Sequence, residues 1–376
     1  MSKAWGILLP LLLIFLVACG TPQPKGEIYV YVAVPLSGFQ ANGGQTVLGG
    51  ANLRAQQANR TGEAAGYKIN TIGIDDESDS DVALEVANRI ETDLAAGKKI
   101  VAVIGHYNSG QTLAAMEVYK DLSVLVITPT ASEVSISQKG YPNFFRVNAN
   151  DITQGRVTAE FMVKELKAKK IAVIHNDTEY GVGLKDQIKK ALESLGAELT
   201  LTLQVKEGQE TYLEEVKRVK EAAPDALFYA GYEIEAPYLR ADLVAGGVNI
   251  PMLSSDGAFL SATIDEAQGA AEGMYLSAFA PSPKEVVDSQ WIKEYQKVEY
   301  RNPDTYSING YAAMDVVVRA INKANSVEYA QVLAAARQLD YDSVIGRISF
   351  DGNGDLKQQR VFIFQVADNE FKQVWP

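Results

Sequence analysis

Short runs of branched apolar residues alternate with helical patterns along this chain, and the alternation occurs twice. IYVYVAV (28–34), KINTIGI (68–74), IVAVIG (100–105) and VLVIT (124–128) are separated by VLGGANLRAQQAN, DVALEVANRIETDLAAG and QTLAAMEVYKDL. In the second of these, Val82, Val86, Ile90 and Leu94 recur on one helical face and Gly97 stops the helix. Strands buried on both faces and joined by helices imply a parallel sheet with helices on either side. A second series follows: IAVIH, ELTLTLQV, ALFYAG and IPMLSS, with helical segments between them. Thr211 and Glu214 read as a capping box opening one of these helices. The boundary between the two units falls near FFRVNANDITQG (144–155). NGYAAMDVVVRAINKA and YAQVLAAARQL are further helices, and GRISFDGNGDLKQQRVFIFQV reads as two strands joined by a tight turn.

The first residues stand apart from this pattern. Lys3 precedes an apolar run from Ile7 to Val17, shorter than the about 20 residues of a membrane span. It ends in Leu16-Val17-Ala18-Cys19, the form of a bacterial lipobox. Cys19 is the only cysteine, so no disulfide can form within the chain, and the one thiol stands where a lipid would attach. Residues 1–18 are expected to be a signal peptide and 19–26 a tether, leaving the protein lipid-anchored on the extracytoplasmic face of a bacterial envelope. Without residues 1–18 the chain has 34 basic and 47 acidic side chains, a net charge of −13, which argues against nucleic acid.

In open parallel sheets ligands bind beyond the carboxyl ends of the strands. Here those ends are PLSGFQ, DDESD, HYNSG and TPTAS in the first unit, and HNDTEYG, KEGQE, YEIE and SDGA in the second. They are rich in hydroxyls, tyrosines and acids, and Lys206 is the main cation among them. That inventory suits a zwitterion. Ser109, Ser132 and the helix N-terminus at 110–112 would hold a carboxylate. Asp256 and a strand-end carbonyl would accept from an ammonium, and Tyr107, Tyr180, Tyr232 and Tyr306 would cover an apolar side chain. Pro129 removes a donor and stiffens the turn at the end of VLVIT, leaving the Thr130 carbonyl and the Ser132 hydroxyl for a ligand.

YVYVAVPLSGFQANGGQ, VAVIGHYNSGQT, VITPTAS, FFRVNANDITQG, AVIHNDTEYGVGL, LFYAGYEIE and SSDG, in this order and spacing, resemble the periplasmic leucine/isoleucine/valine-binding proteins of ABC importers. The resemblance runs from Ile28 to about Val366. It implies the type I periplasmic binding protein fold: an α/β protein of two doubly wound parallel-sheet lobes that close about a hinge. The lobes would be 27–149 plus 279–347 and 150–278 plus 348–376, with hinge strands near 148–152, 275–280 and 344–350. It implies that Ser109 and Ser132 bind the ligand carboxylate, that the Thr130 carbonyl and Asp256 bind the ammonium, and that Tyr180, Tyr232 and Tyr306 are aromatic walls. Asp256 stands where a glutamate is usual. Gly43 replaces an expected aromatic, which should enlarge the side-chain pocket and broaden the ligand range beyond leucine, isoleucine and valine. An ABC permease partner and a monomer are also implied. A sensing module with the same pocket, or a binder of an amide, urea or aromatic acid, is the alternative.

No enzyme, cofactor or metal is expected. G-x-S-x-G, H-E-x-x-H, P-loop and G-x-G-x-x-G patterns are missing from the sequence. Ser109, His106 and Asp256 could form a triad on paper, but a binding cleft explains them equally. DGNGD (351–355) resembles the start of a calcium loop, yet Leu356 and Phe362 occupy positions that need glycine and glutamate. In DDESDSD (75–81), Asp75 or Asp76 could face a basic ligand, although acids at a helix start are common.

Overall fold

A computed structural model describes residues 23–376, so the signal segment, Cys19 and residues 20–22 of the tether lie outside the described residues. The last tether residues are tied to the body, since the Lys25 amide donates to the Gly66 carbonyl at 2.9 Å. The first sheet contains β1 (Glu27–Val34), β2 (Lys68–Asp75), β3 (Ile100–Gly105), β4 (Leu125–Thr128) and β5 (Phe144–Arg146). Its order is β2-β1-β3-β4-β5 and every pairing is parallel. Helices α1 (Ala41–Thr61), α2 (Ser80–Ala95), α3 (Ser109–Tyr119) and α4 (Val134–Gln138) connect these strands. Alternate residues of β1 serve opposite layers: Val30, Val32 and Val34 enter one core, Tyr31 and Ala33 the other.

Helix α5 (Asp151–Lys164) leads into β6 (Lys170–Asn176), β7 (Glu198–Val205), β8 (Ala226–Ala230), β9 (Met252–Ser254) and β10 (Tyr275–Ala278). Between these strands lie α6 (Glu179–Ser194), α7 (Leu213–Ala222), α8 (Ala236–Ala245) and α9 (Ser261–Glu266). The chain continues through α10 (Pro283–Val286), α11 (Ser289–Glu299), α12 (Thr305–Ala324) and α13 (Tyr329–Arg337). It ends with β11 (Asp340–Ser343), β12 (Gly346–Ser349), β13 (Phe362–Ala367) and β14 (Glu370–Trp375). The second sheet runs β14-β13-β10-β9-β8-β6-β7, parallel from β10 to β7 and antiparallel at the β13 and β14 edge.

Helix α12 returns to the first sheet and lies against α1. An added Cβ at Gly50 would sit 1.9 Å from the Ser307 carbonyl, and one at Gly310 would sit 2.1 Å from that of Val47. The two glycines therefore permit a backbone-to-backbone approach that no side chain allows, and this fixes Tyr306 at the start of α12.

Two local expectations are corrected. GRISF and VFIFQV do not form a hairpin: β12 pairs with β11, and β13 pairs with β10 and β14. The DGNGD turn is held elsewhere, because the buried Arg146 guanidinium bonds Asp355 at 2.8 Å and the Arg146 amide donates to the Gly354 carbonyl at 2.9 Å. Ile348, Phe350 and Leu356 thus belong to the core under the first sheet, and Val361 and Ile363 to the core under the second. The Thr211–Glu214 capping box does not form either. Helix α7 starts at Leu213 after Tyr212, whose amide donates to the Asp242 carboxylate at 2.6 Å.

Candidate functional site

The carboxyl ends of the two sheets face one another around a small, partly open pocket of about 20 Å³. From the first sheet, Tyr107, Asn108 and Ser109 follow β3, and Thr130 and Ser132 follow β4. From the second come Tyr180 at the start of α6, Tyr232 after β8, and Asp256 after β9. Tyr306 completes the wall from α12. All eight residues expected at a site are thus brought to one cavity, and none of its lining residues is lysine or arginine.

One end of the cavity offers donors. Ser109 opens α3, an 11-residue helix with free first-turn amides. Its Oγ accepts the Glu133 amide at 3.2 Å, so its hydroxyl hydrogen remains free to donate. Ser132 Oγ is buried and has no partner. Thr130 Oγ1 donates to the Tyr107 carbonyl at 2.5 Å, and the Thr130 carbonyl accepts from Asn148 Nδ2 at 2.9 Å. That carbonyl is therefore half occupied, with one lone pair left.

The other end offers acceptors. Asp256 is 5 % exposed. Its Oδ1 accepts from Tyr180 Oη at 2.6 Å and from Gln154 Nε2 at 2.7 Å, and neither donor bonds Oδ2. Burial pushes the Asp256 carboxyl up to about 6, opposed by those two bonds. The Tyr306 hydroxyl donates to the Asp256 backbone carbonyl, and the Tyr180 ring stacks on Tyr232 at 5.4 Å between centroids.

Sequence reasoning missed three residues here. Asp151, the first residue of α5, is fully buried and neither carboxyl oxygen has a partner. Its amide donates to the Ser132 carbonyl at 2.9 Å, which sets it directly behind the cavity wall. Burial pushes its carboxyl up to about 8; the nearby Ser132 hydroxyl, which stops short of a hydrogen bond, opposes the rise and the Asp256 charge adds to it. Gln154, one turn further along α5, links Asp256 to Ser277 Oγ at 2.9 Å. Glu233, next to Tyr232, is 3 % exposed with both oxygens unpartnered, and burial pushes it up to about 8. The only sequence signal for Asp151 and Glu233 was an acid close to a strand or helix end.

Gly43 does not enlarge the pocket. A Cβ there would sit 2.3 Å from Tyr107 Oη and 2.7 Å from Cζ, so the Tyr107 ring already fills that space. The paper triad is excluded by geometry. His106 is fully buried, its Nδ1 lies 2.6 Å from Asp76 Oδ2, and its Nε2 lies 3.2 Å from Tyr119 Oη, so both nitrogens are taken. Asp75 turns instead to the Leu36 amide at 2.8 Å and Ser37 Oγ at 2.6 Å. In DGNGD, Asp351 bonds the amides of Asn353 and Asp355, and Asp355 pairs with Arg146. Among the described residues no group of three or more acids, histidines or cysteines is arranged to hold a metal ion.

The sequence pattern of the family described as "Periplasmic binding protein" matches residues 27–370. A Leu/Ile/Val-binding protein homolog from Brucella abortus is 30% identical over 346 residues, covering 92% of this chain and 91% of the relative. A leucine-binding protein structure from Thermotoga maritima superposes with a TM-score of 0.85 at 22% identity, over 92% of this chain and 97% of the other. A solute-binding protein of an ABC transporter from R. palustris, in complex with benzoate, gives 0.82 at 19% identity, over 93% and 96%.

Proposed function

The chain belongs to the periplasmic binding protein family, and on that premise we propose that it captures an amino acid in the cleft between its sheets and delivers it to an ABC permease. One observation carries the reading: the unpartnered Ser132 hydroxyl and the buried Asp256 carboxyl line one pocket, and the buried, unpartnered Asp151 carboxyl lies behind its wall. A buried carboxyl is costly to ionise, and a buried hydroxyl without a partner costs about 1–3 kcal/mol. A zwitterion offsets both. Its carboxylate accepts from Ser109, Ser132 and the first amides of α3, and its ammonium donates to Asp256, Asp151 and the Thr130 carbonyl. Charge-assisted bonds of this kind contribute about 1.5–3 kcal/mol each. Tyr107, Tyr180, Tyr232 and Tyr306 surround the rest of the molecule. The hinge on which the cleft opens would be the chain passages near 147–150, 279–282 and 357–361; the third replaces the expected 344–350, because Ile348 and Phe350 belong to the core under the first sheet.

The benzoate complex of a structural relative favours a second reading, an aromatic acid as ligand. Two acids and no cation at this cavity speak against it, because such a ligand brings a negative charge and no ammonium. Thermal unfolding of residues 20–376, stripped of carried ligand by unfolding and refolding, separates the two. A ligand at about 100 times its dissociation constant adds about 2.7 kcal/mol of stability. Amino acids should raise the midpoint and benzoate should not. A rise with benzoate and none with any amino acid would reject the head-group assignment. In the same reading Cys19 carries the lipid anchor. Cys19→Ser should then move the protein from the detergent phase to the aqueous phase in a phase-partition assay, and unchanged partition would reject the anchor.

A further inference from the structure

The segment YEIE carries two buried acids two residues apart, and they are treated differently. Glu235 is fully engaged: its carboxylate accepts from Tyr229 Oη at 2.7 Å, from the Tyr232 amide at 2.9 Å and from the Gly208 amide at 2.9 Å. These bonds hold the turn after β8 together, so Glu235 is a structural acid. Glu233 has no such bond on either oxygen, although it is just as deeply buried.

Its position is tied to the cavity from two sides. It follows Tyr232, a wall residue, and its amide donates to the carbonyl of Gly257, another wall residue, at 3.0 Å. Across the cleft stands Tyr107, whose hydroxyl is also buried and unpartnered. After burial, the Glu233 charge is the largest influence raising the Tyr107 hydroxyl, and it is felt at Tyr306 as well. The two groups are not bonded to one another, which leaves a donor and an acceptor, one from each sheet, without a partner.

We infer that Glu233, with the Tyr107 hydroxyl, reads the side chain of the ligand, and that the ligand is an amino acid whose side chain carries N–H or O–H donors. The inference rests on the head-group reading above. Ser109, Ser132, Asp151 and Asp256 hold the part common to all amino acids, and Glu233 meets what differs among them. An aliphatic side chain would bury both orphaned groups without a partner. Sites built around a hydrogen bond discriminate strongly against analogues that lack it.

The test is calorimetric titration of refolded residues 20–376 with lysine, glutamine and threonine against leucine and valine, in the wild type and in Glu233→Leu and Glu233→Gln. The wild type should bind at least one donor-bearing amino acid ten times or more tightly than leucine. Glu233→Leu should reverse that order, and Glu233→Gln should weaken lysine about tenfold or more. Tighter binding of leucine than of every donor-bearing amino acid by the wild type would overturn the inference and leave the head-group reading standing. Heat from no amino acid at all would overturn both. The wild-type ranking decides the matter even where a variant fails to fold.

Discussion

Replacing Asp256 with asparagine preserves volume and an acceptor for Tyr180 while removing the charge. Burial lifts this carboxyl from an ordinary 3.8 to about 6. At about 1.4 kcal/mol for each pH unit, ionising it in the closed, ligand-free cleft costs about 3 kcal/mol. A ligand ammonium offsets that cost through a charge-assisted bond of about 1.5–3 kcal/mol, so Asp256→Asn should weaken amino-acid binding about 10- to 150-fold. The pH dependence has a definite sign. The raised carboxyl keeps its proton below about 6, and the ammonium must displace that proton to reach an ionised acceptor. Affinity in the wild type should therefore fall about tenfold per pH unit from pH 6 towards 4, and in Asp256→Asn it should stay flat over that interval. Asp151, held protonated up to about 8, adds no titration there. Without ligand the stability relation runs oppositely. The stabilising contribution of protonated Asp256 is complete below 3.8 and is lost as pH rises through about 6. Calorimetric titration at four pH values in both proteins measures the whole effect. Binding within threefold of wild type, with superimposable pH profiles, would refute the assignment of Asp256 to the ammonium.

Arg146 is fully buried and bonds Asp355, the carbonyls of Ala131 and Glu133, and Ser137 Oγ. Arg146→Ala should cost about 3–5 kcal/mol by leaving Asp355 unpaired, as read from denaturant unfolding; a loss under about 1 kcal/mol would contradict the clamp. Gly43→Ala should displace the Tyr107 ring at about 1–3 kcal/mol and weaken binding correspondingly. Equal affinity of wild type and Gly43→Ala in the same titration would mean that Tyr107 yields without consequence.

The parallel architecture was legible because strands buried on both faces read as unbroken apolar runs. Seven of the eight cavity residues followed from it, since each lies just beyond a strand or at the helix that comes next; Tyr306, on α12, was placed by the family resemblance. What failed was local inference where a distant partner decides. GRISF and VFIFQV carry a good hairpin turn between them, yet Arg146, about two hundred residues earlier in sequence, holds that turn against the first sheet. Thr211 caps nothing because α7 begins only at Leu213, two residues further on. Gly43 implied space that Tyr107, from another strand, already fills.

Asp151 and Glu233 show a deeper reason why part of the site stayed hidden. An acid at a helix start or a strand end is ordinary, and Glu235 behaves as such an acid should. Nothing in the letters YEIE says which glutamate is spent on the fold. The distinction appears only once every donor in the neighbourhood has been assigned and some acceptors are left over. Unsatisfied buried acids are what a fold selected for stability alone would remove, because each works against the closed state. On the proposed reading, their nearness to one pocket with no lysine or arginine in its wall would make closure depend on a group that brings positive charge or hydrogen-bond donors from outside. A cleft that resists closing when empty and closes readily around such a group couples occupancy to shape. A binding protein needs that coupling if its partner is to tell the loaded form from the empty one.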